Sequence, residues 1–227
     1  MLSGLKIVLT GASGLTGPAI TRRLFDSHSQ LVIAGRDRKK LESCRSGLTN
    51  DSAVHIWCGD LTSEEECSLL IDFAANTMGG IDVLINNAAQ FNFSAVENIN
   101  YEKLNELTHI NLQTPVYLTS LALPWLKANH HSVILNISSL AGQASLPDGA
   151  CYAASKWGLQ GFSYSIREAL RNTPVHICTI SPCQIEVLRS DNHKHVSAIT
   201  PQALAESVAL IIKASYQLSS SLDLVIR

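Results

Sequence analysis

The chain has 227 residues, of which 46% are hydrophobic and 16% are charged, a balance that supports a folded core and argues against disorder. The 17 Lys and Arg residues face 19 Asp and Glu residues, so the net charge of −2 leaves no basic surplus for nucleic-acid binding. No apolar stretch reaches the roughly 20 residues of a transmembrane helix, and no secretory cleavage site follows the N-terminus. We therefore expect a cytoplasmic protein with no nucleic-acid or membrane partner.

Short β-branched runs alternate along the chain with longer segments of helical pattern. The predicted strands are Lys6–Thr10, Leu31–Gly35, Val54–Cys58, Val83–Asn86, Ser132–Ser138, Val175–Ser181 and Leu222–Ile226. Helices are expected to begin near Thr16, Asp37, Ser63, Tyr101, Cys151 and Pro201. This alternation predicts an α/β fold, a doubly wound parallel sheet of about seven strands. No linker or repeat divides the chain, so one domain over residues 1–227 is expected.

A glycine-rich turn follows the first predicted strand and opens the first helix. It reads Thr10-Gly11-Ala12-Ser13-Gly14-Leu15-Thr16-Gly17-Pro18. Glycines let the backbone approach a pyrophosphate, and a helix N-terminus offers N–H groups and a favourable dipole. Such a turn alone can be an ordinary connection, but a strand before it and an amphipathic helix after it favour a dinucleotide site of the Rossmann type. Cofactor contacts are expected at Gly11, Ser13, Gly14, Leu15, Thr16 and Gly17.

The end of the second predicted strand indicates which dinucleotide binds. An acidic residue there bonds the ribose 2′-hydroxyl of NAD(H), whereas Arg accommodates the 2′-phosphate of NADP(H). Gly35 stands where the acid is expected and Arg36 follows it, so we expect NADP(H) to be favoured over NAD(H). Asp37 tempers this prediction, but we interpret it as the N-cap of the next helix. Lys39 and Lys40 fit a solvated helix face better than a second phosphate site.

Tyr152 and Lys156 are four residues apart, which places a phenol and an ammonium group on one helix face. A tyrosine with its ordinary pKa of about 10 is a poor acid or base at neutral pH, and a nearby positive charge favours the phenolate. The same pair also occurs on ordinary amphipathic helices. Its meaning therefore depends on the rest of the chain.

Taken together, several ordered motifs resemble the compact, single-domain branch of the short-chain dehydrogenase/reductase family, from about Leu5 to the C-terminus. They are Thr10–Gly17, Asp60 in Cys58–Thr62, Asn86-Asn87-Ala88-Ala89, Asn111, Asn136-Ile137-Ser138-Ser139, Tyr152–Lys156 and Ser181-Pro182. The resemblance implies an NADP(H)-dependent oxidoreductase that interconverts a small-molecule carbonyl and an alcohol by hydride transfer. It also implies a homodimer or homotetramer, assembled through helices at Tyr101–Asn129 and Cys151–Asn172.

The resemblance implies a role for each residue of the site. Tyr152 would be the general acid/base, and Lys156 would lower its pKa and hold the nicotinamide ribose. Ser139, thirteen residues before Tyr152, would orient the substrate carbonyl. Asn111 would support a water that links Lys156 to solvent. Further cofactor contacts are implied for Asp60, at the adenine, and for Leu61, Asn87, Ala88, Pro182 and Ile185.

The glycine spacing departs from the pattern of the compact branch. Gly11, Gly14 and Gly17 are spaced as in the extended branch, and Leu15 stands where compact members usually have glycine. Extended members carry a second substrate domain for which this chain has no room. We therefore keep the compact assignment, and an epimerase or dehydratase of the extended branch is the weakest reading.

Further departures lie near the expected nicotinamide site. Ala89 replaces a glycine, Cys183 stands where glycine is common, and Val187 stands where a threonine is common. We interpret Cys183 as a small residue at a strand end rather than as a reactive thiol. The two changes at Cys183 and Val187 motivate an alternative function, an NADPH-binding regulatory or interaction protein with little catalysis.

Residues 184–200 are expected to form the substrate loop, because loops on a rigid scaffold carry specificity. His193 and His195 alternate within it, with Asp191 close by but no cysteine, which is weak evidence for a metal site. We interpret them as part of a solvated loop, and no metal site is expected. The identity of the substrate does not follow from these motifs, since one fold serves many substrates.

Overall fold

The computed structural model describes residues 2–49, 51–91, 94–185 and 198–226. Its strands are β1 (Lys6–Leu9), β2 (Gln30–Gly35), β3 (Val54–Cys58), β4 (Val83–Asn86), β5 (Ser132–Ile137), β6 (Val175–Pro182) and β7 (Asp223–Ile226). They form one seven-stranded sheet in the order β3-β2-β1-β4-β5-β6-β7, and every neighbouring pair is parallel. The order reverses between β1 and β4, which creates a crevice at their carboxyl ends. The predicted α/β, single-domain Rossmann fold is confirmed.

Helices cover both faces of the sheet. They are α1 (Gly17–Phe25), α2 (Arg38–Ser46), α3 (Glu64–Met78), α4 (Tyr101–Thr108), α5 (Thr114–Lys127), α6 (Ala150–Ala169) and α7 (Pro201–Leu218). Successive strand residues point to opposite faces, so Ile7 and Leu9 pack with α1, α2 and α7, whereas Val8 packs with α3 and α5. Within the described residues, no helix combines the length and apolar character needed to span a membrane.

The helix starts follow from local capping chemistry. Asp37, Ser63 and Thr200 each accept a hydrogen bond from a backbone N–H three residues ahead, at the N-termini of α2, α3 and α7. Asn100 caps α4 in the same way. The interpretation of Asp37 as an N-cap is confirmed.

The predicted helix from Tyr101 to Asn129 is interrupted in the structure. A π-helical turn at His109–Gln113 separates α4 from α5. The cause lies in Pro115, in the first turn of α5, because proline has no N–H to give to the carbonyl of Asn111 and its ring would crowd that carbonyl. The wider π-helical turn avoids this clash, and Asn111 within it is buried.

Candidate active site

The glycine-rich turn packs directly against the segment that follows β4. Gly11 has a φ of 69°, and a Cβ added to it would lie 2.6 Å from the Cα of Ala88. A Cβ at Gly17 would lie 2.3 Å from the carbonyl oxygen of Ala12. Only glycine fits at these two positions, because real Cβ contacts do not come so close.

Side-chain hydrogen bonds join the ends of β1 and β4. The hydroxyl of Thr10 accepts the backbone N–H groups of Asn87 at 3.0 Å and Ala88 at 3.1 Å. The Asn87 amide donates to the Thr10 carbonyl at 3.0 Å, and the Thr16 hydroxyl donates to the Asn87 Oδ1 at 2.8 Å. The predicted cofactor residues of the two segments are therefore brought together in the crevice.

The N-terminus of α1 is arranged to receive an anion. Thr16 occupies the N-cap but makes no capping hydrogen bond, the first turn holds no acidic residue, and Pro18 lies within it. The first N–H groups of a helix have no intrahelical partner and carry the positive end of the dipole. Gly14 and Leu15 are exposed beside this end, and Ser13 is half-buried. A pyrophosphate group fits these residues, and the Leu15 side chain, 47% exposed, does not fill the turn.

Gly35, at the end of β2, lies close to the glycine-rich turn. A Cβ at Gly35 would lie 2.4 Å from the Ser13 Oγ, so an acidic residue at this position would require the Ser13 side chain to move. The next residue, Arg36, is exposed. The Asp37 carboxylate accepts the Lys40 backbone N–H at 3.1 Å and lies 3.7 Å from the Lys40 ammonium group. This carboxylate is therefore already used as the cap of α2. Exposed Lys39 and Lys40 agree with a solvated face.

Asp60 and Leu61 follow β3 beside the end of β2. The Gly59 N–H donates to the Gly35 carbonyl at 3.2 Å, which fixes the two strand ends together. Asp60 is exposed, and its Oδ1 accepts the N–H and hydroxyl of Thr62 at 3.1 and 3.0 Å. Leu61 is buried. Both residues lie at the sheet edge that the predicted cofactor site occupies.

Tyr152 and Lys156 lie one turn apart on α6, and both are buried, at 4% and 2% exposure. The Lys156 Nζ lies 5.8 Å from the centroid of the Tyr152 ring. It donates a hydrogen bond of 2.9 Å to the carbonyl of Ile137, the last residue of β5. The sheet and α6 thus hold the ammonium group beside the phenol.

Burial shifts the pKa of each residue in the direction that favours its uncharged form. It raises the pKa of Tyr152 to about 12, opposed by a side-chain hydrogen bond with Ser139. It lowers the pKa of Lys156 to about 8. Ser139 begins a short 3₁₀ turn after β5, where its hydroxyl accepts the Ala141 N–H at 3.1 Å. The resemblance implied a lowered Tyr152 pKa; in the chain itself the pKa is raised, because the desolvation of the phenolate outweighs other contributions.

Asn111 links the segment after β4 to α6. Its Oδ1 accepts the Gln90 N–H at 2.8 Å, and its amide donates to the Gln90 carbonyl at 3.0 Å and the Ser155 hydroxyl at 3.1 Å. Ser155 donates in turn to the Tyr152 carbonyl at 2.7 Å. These hydrogen bonds reach the helix that carries Lys156, but run to Ser155 rather than to the lysine itself.

Pro182 and Ile185 lie at the end of β6. Pro182 is buried and pairs with Ile226 of β7, whose carbonyl accepts the Cys183 N–H at 2.8 Å. Cys183 follows the end of β6 and is half-buried. Ile185 forms a bridge with Ile199 and so closes the base of the predicted substrate loop.

Most of the predicted substrate loop, residues 186–197, lies outside the described residues, and with it Val187, His193 and His195. In the described part of the chain, no group of three or more His, Cys, Asp or Glu side chains could hold a metal ion.

Two residues of the site were missed by sequence reasoning. The Gln143 amide donates to the Ser181 hydroxyl at 3.1 Å, which ties the 3₁₀ turn after Ser139 to β6. The Phe91 ring lies 5.1 Å from the Tyr152 ring, centroid to centroid. The one available signal for Phe91 was an aromatic residue placed shortly after the Asn-Asn-Ala-Ala motif.

A family model described as short chain dehydrogenase matches residues 6–196. The chain belongs to the short-chain dehydrogenase family. Among curated oxidoreductases, an uncharacterised one from Staphylococcus aureus strain MW2 is 29% identical over 203 residues, 88% of this chain and 87% of that relative. Another, from Staphylococcus saprophyticus, is 27% identical over 215 residues, 89% of this chain and 87% of that relative. This short-chain dehydrogenase is thus similar over most of its length to proteins named as oxidoreductases.

Solved structures of the family have the same architecture. A metagenomic short-chain oxidoreductase in complex with NADP superposes with a TM-score of 0.86, is 31% identical, and the match covers 100% of this chain and 97% of that one. A variant of actinorhodin polyketide ketoreductase with NADPH gives a TM-score of 0.88 at 21% identity, with the same coverage of 100% and 97%. The second likeness concerns the fold alone. Together these findings make the chain an oxidoreductase of the short-chain dehydrogenase family.

Proposed function

We propose that this short-chain dehydrogenase is an NADP(H)-dependent enzyme that interconverts a small-molecule carbonyl and an alcohol. The observation that carries the proposal is the cluster of buried Tyr152 and Lys156 with half-buried Ser139. This cluster lies at the same sheet edge as the open N-terminus of α1, so one crevice offers both a dinucleotide site and a proton donor.

The residues of the crevice fit a nicotinamide dinucleotide phosphate. The backbone of the turn at Gly14–Gly17 would hold the pyrophosphate, and Arg36 would hold the 2′-phosphate. The other proposed contacts are Gly11, Ser13, Asp60, Leu61, Asn87, Ala88, Tyr152, Lys156, Pro182 and Ile185. When bound, the reduced cofactor supplies a hydride to the carbonyl carbon. The NADP in the 31% identical relative supports this choice, as does the absence of an acidic side chain at Gly35.

Tyr152 supplies the proton that balances this hydride. Its raised pKa keeps the phenol protonated at neutral pH, so it can donate to the carbonyl oxygen as negative charge develops there. The Ser139 hydroxyl, which already meets the phenol, donates a hydrogen bond to the same oxygen. The alcohol forms as the O–H bond of Tyr152 breaks, and oxidation of an alcohol is the reverse path.

Lys156 stabilises the phenolate that remains on Tyr152. With a pKa near 8, its ammonium group is mostly charged at neutral pH, and it lies against the phenol in a buried, weakly screened place. A proton must then return to Tyr152 from solvent. The position of Asn111 between Gln90 and α6 supports a role in this relay, through a bound water.

Assembly into a homodimer or homotetramer is part of the proposal. Trp125 on α5 and Trp157 and Tyr164 on α6 are large apolar side chains exposed by 39%, 53% and 46%. Exposed apolar surface of this kind commonly marks a protein interface. These helices are the pair through which the family resemblance implies association.

The test is a titration of the purified protein with NADPH and NADH, followed by a scan of carbonyl compounds for loss of NADPH absorbance. Tyr152→Phe removes the proton donor but keeps the ring, so turnover should fall by at least a hundredfold while NADPH binding stays largely intact. A fully active Tyr152→Phe variant would disprove the proposed acid, and a preference for NADH would disprove the proposed cofactor. Tight NADPH binding without turnover of any carbonyl would favour the regulatory function instead.

A further inference from the structure

Phe91 places an exposed aromatic ring on the buried phenol of the site. The two ring centroids are 5.1 Å apart with the planes inclined by 35°, a separation at which aromatic rings attract each other. Phe91 is 58% exposed, whereas Tyr152 is 4% exposed. A large apolar ring thus remains open to solvent while touching the proposed proton donor.

The backbone beside Phe91 is held in place from α6. The preceding residue, Gln90, has both its N–H and its carbonyl bonded to Asn111, at 2.8 and 3.0 Å. Asn111 is itself buried and bonded to Ser155, one residue before Lys156. The chain at Phe91 is therefore fixed relative to the helix that carries Tyr152.

Among the described residues, the apolar side chains that form a core cluster with Tyr152 are small or aliphatic. Leu107 and Ala141 form a buried cluster with it, and Leu146, Cys151 and Ala153 pack partly buried against that cluster. These side chains offer area but no aromatic face. Phe91 differs from them, because its π-face can distinguish a flat unsaturated group from a saturated group of equal size.

We infer that Phe91 is a specificity-determining residue, and that it selects carbonyl compounds that carry an aromatic group next to the carbonyl carbon. This inference rests on the proposed function, because it places the reacting carbonyl at Tyr152. An aryl group whose carbonyl oxygen reaches Tyr152 comes to lie beside Phe91 and covers its exposed face. A saturated ring covers the same area without the favourable ring geometry.

Binding without turnover tests the inference separately from the reaction. In a Tyr152→Phe background loaded with NADPH, dissociation constants are measured by calorimetry for acetophenone and for cyclohexyl methyl ketone, which differ in the aromatic ring alone. We expect tighter binding of acetophenone. Phe91→Leu, which keeps apolar volume but removes the π-face, should reduce the preference by roughly three- to tenfold. Phe91→Tyr, which keeps the ring, should retain it.

In the active protein, which keeps Tyr152, Phe91→Leu should reduce the preference for acetophenone in kcat/KM to the same extent. Unchanged NADPH binding by Phe91→Leu is the control for folding. An unchanged acetophenone preference in Phe91→Leu would overturn the inference, and so would its loss in Phe91→Tyr or its absence in the parent protein. If the aromatic preference in binding depends on Phe91 but no carbonyl compound of the panel is reduced, Phe91 still selects aromatic ligands and the proposed reaction fails.

Discussion

Tyr152 and Lys156 illustrate how burial decides the state of a residue. Each side chain is almost wholly removed from water, and burial moves each pKa toward the uncharged form, to about 12 and about 8. At neutral pH the phenol still carries its proton and most of the lysine still carries its charge. The chain by itself therefore holds the pair in the protonation state that the proposed carbonyl reduction requires.

The proposed preference for NADP(H) depends on Arg36, the cation that follows β2. Its replacement in Arg36→Ala should raise the dissociation constant of NADPH by about tenfold, equal to ~1.4 kcal/mol, because a charge-assisted contact to the 2′-phosphate is lost. The dissociation constant of NADH should stay unchanged. Nicotinamide fluorescence titration measures both.

A matched control for Arg36 is available on the adjoining helix. Lys39→Ala removes one exposed positive charge from the outer face of α2 and should change NADPH affinity little. Equal losses in the two variants would show that only the general charge of this region matters. No loss in Arg36→Ala would show that another residue holds the phosphate.

At the scale of the elements, the π-turn between α4 and α5 positions the site. It arises at Pro115, and it turns Asn111 inward, where the side chain bonds both backbone groups of Gln90. Asn111 thus links the segment after β4 to α6. A regular helix through Asn111 would not have room for the proline ring one turn later.

Removal of this link should cost stability. Asn111→Ala leaves the Gln90 N–H and carbonyl without their partner, so we expect the free energy of unfolding to fall by about 1–3 kcal/mol in urea denaturation. Asn105→Ala, at an exposed position of α4, is the matched control and should have little effect. Equal stability of the two variants would contradict the proposed role of the link.

Local chemistry explains which elements could be predicted. The strands are short apolar runs, and caps such as Asp37 and Ser63 mark helix starts, so their positions follow from neighbouring residues. The π-turn is missed because a helical pattern continues through it, and only Pro115 signals it. The Phe91 contact is missed because it joins two segments distant in sequence. The raised pKa of Tyr152 is missed because it results from the burial of the side chain in the folded protein.

At the scale of the whole molecule, the edge of the sheet opposite the site holds a cluster of His131, His176 and Tyr216. The His131 ring lies 4.3 Å from His176 and 4.1 Å from Tyr216, between centroids. Burial, aided by the neighbouring His176, lowers the pKa of His131 from 6.5 to about 4. Burial also lowers the pKa of His176. The cluster disfavours positive charge.

Acid should therefore destabilise the protein. Between pH 6.5 and about 4 the unfolded chain binds more protons than the folded one, so stability is full above pH 6.5 and falls as the pH drops. His131→Phe keeps an aromatic ring in the cluster but cannot bind a proton. The acid-induced fall in the free energy of unfolding should therefore be smaller in this variant, by on the order of 1 kcal/mol. The effect is limited because the ring is only half-buried and solvent screens its charge. Urea denaturation across this pH range measures it.

The neighbouring His130 provides the control for this experiment. It is exposed, so His130→Asn should leave the pH dependence of unfolding unchanged. The contribution of Asp223, whose pKa is lowered by Arg167 and Thr179, is lost only below its ordinary value of 3.8 and stays separate. A His131→Phe variant with the pH dependence of the parent would refute the role of the cluster.

β5 connects this histidine cluster to the site, since His131 precedes the strand and Ser139 follows it closely. Eight residues of extended chain span roughly 25 Å, and over that distance two unit charges interact by only about 0.7 kcal/mol at an effective dielectric constant of about 20. The acid tolerance of the protein can therefore be redesigned at one end of a single strand with little effect on the site at the other, so the two properties can evolve separately.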